Sequence, residues 1–114
     1  MAADPVVPFP LLTFEKQQAG DTVTVLCHGK VVSDTVPVMQ QEVRPLIEQY
    51  KTIVLDLTDV SYMDSSGLGA LVGLFVSAKR AGKQLKLINL SARIQDLLRL
   101  TNLLSVFEGY GEYL

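Results

Sequence analysis

Tryptophan is absent, cysteine and histidine occur once each, and no apolar run approaches the roughly 18 residues needed to cross a bilayer. Each scarcity excludes something. A lone Cys27 cannot close an internal disulfide, and with His28 as its only companion of the softer ligand type it does not make a metal site. Cofactors are not expected. The ten Lys and Arg residues are scattered against twelve Asp and Glu, for a net charge of −2, so the chain lacks the basic block that a phosphate backbone would require. Direct contact with nucleic acid is not expected. The N-terminus lacks the basic-then-apolar order of a signal peptide, which makes a reducing cytoplasm the expected compartment. Nor is there a glycine loop followed by Lys of the kind that cradles nucleotide phosphates.

What is present is a chain of 114 residues with 48% hydrophobic content, enough for one domain with a real core. Its organising stretch is Tyr62-Met63-Asp64-Ser65-Ser66-Gly67-Leu68-Gly69. Upstream, Ile53-Val54-Leu55-Asp56-Leu57 is short and nearly continuous in hydrophobicity, as a strand buried on both faces should be. Downstream, Leu68, Leu71, Val72, Phe75 and Lys79 recur at helical spacing. The chain therefore turns from strand to helix within Asp-Ser-Ser-Gly, placing two hydroxyls at a helix N-terminus. Unpaired amides and the positive end of the macrodipole collect there, so an added phosphate would be tolerated. Ser65 or Ser66 as a plain N-cap is the simpler reading. Against it stand Gly67 and Gly69, each costing a helix about 1 kcal/mol relative to Ala, which suggests a close approach by another backbone or a ligand.

Together with Ile53-Val54-Leu55-Asp56-Leu57-Thr58-Asp59-Val60-Ser61 before it, this motif resembles the signature of the STAS domain, named for sulfate transporters and anti-sigma factor antagonists. The resemblance spans roughly residues 11–110 and is strongest from Thr52 to Lys83. It is closest to the free-standing bacterial anti-sigma factor antagonists, and it implies that the first Ser after the Asp, here Ser65, is the phosphorylated residue, with Asp64 and Ser66 beside it. Gly67, Leu68, Asp34 and Leu74 are the further partner-binding candidates. Many family members carry an acidic residue three positions after the glycine that follows the second strand. Here that position is Val32, and Asp34 is the nearest substitute.

The expected fold is α/β, a mixed sheet with a parallel centre, opened by an N-terminal hairpin and covered by helices. Residues 1–10, with Pro5, Pro8 and Pro10, read as a flexible arm, and 11–114 as a single STAS domain. Strands are expected over 11–17 and 22–28, with Gly29 ending the second and Cys27 a small buried hydrophobe. A first helix lies within 30–50, capped by Asp34 or Thr35 and started by Pro37, with Met39, Val43, Leu46, Ile47 and Tyr50 inward and a kink or break near Val43 and Arg44 because of Pro45. The motif helix should run to about Ala81 and stop at Gly82, with Lys79, Arg80 and Lys83 at its negative end. On it, Ala70, Leu74 and Ser77 form a second strip, either an exposed docking surface or a seam under a neighbouring helix. A strand over 84–89, a helix capped by Ser91 with Ile94, Leu97, Leu98 and Thr101 inward, and a short strand at 106–110 complete the pattern. Antagonists of this kind often continue into a C-terminal helix; with the sequence ending at Leu114, either that helix is lacking or the strand end is left uncovered for self-association. The oligomeric state stays open.

An intrinsic hydrolase would need His28 as the base for Ser65, but the motif is not Gly-x-Ser-x-Gly and no oxyanion loop is recognisable. The resemblance implies instead a non-enzymatic binding module. Its partner would be an anti-sigma factor that is also a serine kinase, with a phosphatase as a second partner, and phosphorylation of Ser65 would switch binding off. The alternative is a STAS subunit of a regulatory or membrane-associated complex in which the serine is not switched.

Overall fold

Residues 11–103 are described by a computed structural model of the chain. Alternation of apolar and polar residues in the first third produces a hairpin. Strand β1 (Leu12–Ala19) runs antiparallel to β2 (Thr22–Val31), turning at Gly20. On β2, Val23, Val25, Cys27 and Val31 are buried. Thr22, Thr24, Leu26 and His28, the alternate positions, are only half-buried. The chain then crosses through α1 (Val36–Gln49) to β3 (Thr52–Met63), through α2 (Ser65–Arg80) to β4 (Gln84–Ile88), and ends its described part in α3 (Ala92–Leu100). Strands β2, β3 and β4 are parallel, in the order β1-β2-β3-β4. This is the mixed sheet with a parallel centre and N-terminal hairpin that the sequence predicts. The expected arm at 1–10 and the strand at 106–110 lie outside the described residues.

Ile53, Leu55 and Leu57 of β3 and Leu85 and Leu87 of β4 are fully buried beneath Met39 and Val43 of α1 and Leu71 and Leu74 of α2 in one core. Cys27 belongs to it as well, and burial pushes its thiol up to about 12, leaving it protonated at neutral pH.

Four expectations are corrected. Gly29 does not end β2: it sits inside the strand at φ +126, at an irregularity in the pairing with β3. A Cβ there would fall inside the Leu11 carbonyl, the same oxygen that accepts from the Lys30 amide at 2.9 Å, so only glycine fits this bulge. Pro45 does not break α1: the helix runs through it, and both it and Gln41, the residue whose carbonyl loses its donor, are exposed. Thr35, one of the two expected residues, holds the N-cap position of α1 but makes no side-chain capping bond to the helix. The buried Thr35 hydroxyl instead donates to the Lys30 carbonyl (2.7 Å) and accepts from the Val32 amide (2.9 Å), fastening the loop that follows β2. Lys83 serves a different helix from the one expected, its ammonium donating to the Ile47 and Tyr50 carbonyls (2.6 and 3.0 Å) at the end of α1, which has no basic residue of its own in its last turn.

Candidate functional site

The sheet edge at the C-terminal ends of β2 and β3 carries the motif, because Val31 and Met63 are register partners and both strands leave the sheet there. The amide of Asp64 donates to the Val31 carbonyl at 3.3 Å, tying the start of α2 to the end of β2. The Asp64 carboxylate then accepts from the Gly67 amide at 2.9 Å, and its carbonyl accepts from the Leu68 amide at 3.0 Å. Asp64 is the N-cap.

That assignment settles what the two serines are not. Ser65 and Ser66 occupy the first positions inside the helix, both exposed, and neither hydroxyl makes a hydrogen bond to a described residue. Their amides belong to the helix-start group that lacks intrahelical carbonyl partners. A free primary hydroxyl, adjacent unpaired amides and a macrodipole end are thus brought to one exposed point. Replacing Asp64 by Ala should remove the cap and lower stability by about 1 kcal/mol, read as a lower thermal midpoint, while leaving the Ser65 hydroxyl exposed.

Gly67 is buried, and a Cβ there would drive into the carbonyl oxygen and side chain of Val31. The close approach expected at this glycine is real, and the approaching backbone is the chain's own β2. Gly69 differs: nothing lies within 4 Å of where its Cβ would be, and the same is true of Gly73. Leu68 is buried in the core. Leu74, the other apolar candidate, is 0% exposed, so it offers no docking surface. Its strip forms a seam with α1, closed at one end by the Arg44 guanidinium donating to the Ser77 hydroxyl at 3.1 Å. Asp34 is exposed on the loop after β2, at the same sheet edge as Asp64.

Sequence reasoning missed the true outward face of α2. Ser66, Gly69, Gly73 and Val76 are spaced by three, four and three residues and so share one side; Ser66, Gly69 and Val76 are exposed and Gly73 is half-buried. The two bald glycine positions were the available signal.

His28 does not serve Ser65. Its Nδ1 lies 2.8 Å from Asp59 Oδ2, and its Nε2 faces Glu15 Oε2 at 2.9 Å, within ion-pair distance although not aligned for a hydrogen bond. The ring bridges β1 and β3 across β2 on the side of the sheet away from the core. Asp56 is nearby: burial alone would raise its carboxyl, but hydrogen bonds from the Thr58 hydroxyl and amide and from Asn89, with His28 close, hold it below its usual range.

The family model of the STAS domain matches residues 13–112. The chain belongs to the STAS domain family. Among its relatives, the anti-sigma-B factor antagonist of Bacillus subtilis is 40% identical over 93 residues, covering 82% of this chain and 84% of that protein. Among solved STAS structures, a putative anti-sigma factor antagonist from Thermotoga maritima superposes with a TM-score of 0.73 at 25% identity, covering 79% of each chain. The Bacillus cell fate determinant SpoIIAA matches with a TM-score of 0.68 in its phosphorylated form (19% identity, 90% of this chain and 89% of that one). Its unphosphorylated form gives 0.68 as well (21% identity, 80% and 82%), so the STAS fold here resembles both states equally. Among the described residues, no helix is long and apolar enough to cross a membrane.

Proposed function

We propose that this STAS domain is an anti-sigma factor antagonist whose binding is switched by phosphorylation of Ser65. The unphosphorylated form binds an anti-sigma factor that is also a serine kinase, releasing a sigma factor; the phosphorylated form does not bind, and a phosphatase restores it. The observation that carries this reading is the division of labour at the start of α2. Asp64 performs the capping, which frees the exposed Ser65 hydroxyl from any structural duty. The name of the B. subtilis relative, whose matched region covers most of both chains, supports the same reading.

Phosphorylation would add about −1.5 to −2 charges beside Asp64. Within the domain, free amides and the helix dipole soften that addition. Across an interface built for a neutral hydroxyl, the same charge must be desolvated without a partner, so the cost falls on the complex. The equal match to both forms of SpoIIAA accords with a switch of charge rather than of fold. The bald side of α2 at Gly69 and Gly73 offers the flat surface beside Ser65 on which a partner would rest.

The test is to incubate the purified protein with its host's anti-sigma factor kinase and ATP, and to locate the phosphate by mass spectrometry. Phosphate on Ser65, abolished in Ser65→Ala and retained in Ser66→Ala, is the expected result. Val32, where the family often has an acidic residue, favours the second reading of a non-switched STAS subunit. Stable binding of the kinase with no phosphate transferred would select it.

A further inference from the structure

The geometry points to a second docking patch for the same partner, between the end of β3 and α3, which takes an acidic segment carrying an apolar side chain. This rests on the antagonist reading above and extends its surface beyond Ser65. Two residues before Asp64, Tyr62 is 42% exposed, while its neighbour Met63 is buried. One cation lies over the Tyr62 ring and a second is its neighbour on the adjacent strand. The Arg93 guanidinium of α3 sits over it, 6.0 Å from the centroid, and Lys30 is its register partner on β2, also exposed. A groove of about 320 Å³ continues from the ring along α3, lined by Tyr62, Met63, Arg93, Asp96, Leu97 and Leu100. Leu100, at its far end, is 83% exposed, the largest exposure among the large hydrophobic residues described.

Packing among the described residues explains none of this. α3 is already anchored by buried Ile94 and Leu98 and capped by Ser91, and Leu100 is not part of the core that the described residues form. Asp96 is taken by Arg99 at 2.8 Å, and among the described residues neither Lys30 nor Arg93 has a carboxylate partner. On a chain of net charge −2, an exposed aromatic beside two cations that lack a carboxylate partner among the described residues, with an exposed leucine farther along the groove, complements an acidic, apolar-tipped segment. The patch joins the motif through two residues of β3, so one partner can span both.

The experiment measures, by calorimetry at two salt concentrations, the affinity of the host's purified anti-sigma factor kinase for wild type, Arg93→Glu, Lys30→Glu, Leu100→Ser and Ser65→Asp. The thermal midpoint and sedimentation of each variant are recorded alongside. Arg93→Glu and Leu100→Ser should each weaken binding about tenfold or more with an unchanged thermal midpoint, and Arg93→Glu should also flatten the salt dependence. Wild-type affinity for the patch variants, with binding lost only in Ser65→Asp, overturns the patch and leaves the switch standing. Tighter binding by Arg93→Glu overturns the acidic partner segment. A self-associating wild type that Leu100→Ser makes monomeric, with kinase affinity unchanged, assigns the patch to a second copy and overturns the proposal. Failure of wild type itself to bind the kinase defeats both readings.

Discussion

Ser65→Asp should lower affinity for the anti-sigma factor kinase by more than a hundredfold while leaving the domain folded. The two halves of that result have separate causes. Ser65 is exposed, its hydroxyl bonds to none of the described residues, and the capping bond belongs to Asp64, so the substitution breaks no contact among them. A carboxylate at the first helical position also interacts favourably with the dipole, by about 0.3–1 kcal/mol, which offsets the repulsion from Asp64. The thermal midpoint should therefore move by a few degrees at most. In the complex the balance reverses, since the carboxylate must shed water against a surface shaped for a hydroxyl. If that coupling is about 3 kcal/mol, affinity falls by more than two orders of magnitude. Ser65→Ala removes the acceptor without adding charge and should bind as wild type. Calorimetric titration of all three against the kinase, beside thermal melts, checks the pair of expectations. Wild-type affinity in Ser65→Asp would defeat the charge mechanism and favour the non-switched subunit.

Gly67→Ala should destabilise the fold by about 3 kcal/mol, because overpacking of this kind ordinarily costs 1–3 kcal/mol and the atoms in the way are mainly backbone. The added Cβ meets the Val31 carbonyl and side chain, and that carbonyl also accepts from the Asp64 amide. Relief requires α2 to back away from β2, which stretches the bond that sets Asp64 and Ser65 on the sheet edge. The helix-propensity gain of about 1 kcal/mol from replacing glycine offsets only part of this. Gly69→Ala is the matched control: its Cβ meets nothing, so it should stabilise by up to about 1 kcal/mol. Urea unfolding of both variants decides the matter. Two stabilised proteins would show that Gly67 is only a propensity defect and that the close approach is unimportant. Partner binding by Gly69→Ala then reports separately whether the open side of α2 is a contact surface.

Much of this protein was legible in its sequence. Alternation in Val23, Val25 and Cys27, the continuous run through Leu57 and the 3.6-residue recurrence of Leu68, Leu71 and Phe75 are local patterns, and each one marked its element correctly. The strand-to-helix turn at Asp64 followed from the same local reasoning, because capping chemistry depends on residues within one turn, while the identity of the motif came from its resemblance to the STAS signature. Tertiary structure decided the rest. Which of Asp64, Ser65 and Ser66 caps depends on where β3 ends, and β3 ends at Met63 because it pairs along β2 through Val31. The orientation of α2 about its axis, which buries Leu74 and turns Gly73 and Val76 outward, depends on α1 lying beside it, a contact between residues some thirty apart in the chain. Gly29 and Gly67 look alike as glycines; one relieves a bulge at positive φ and the other a collision with a neighbouring strand. Local chemistry is written in neighbouring residues, but which hydroxyl stays free and which leucine is covered is set by atoms that approach only once the sheet is assembled.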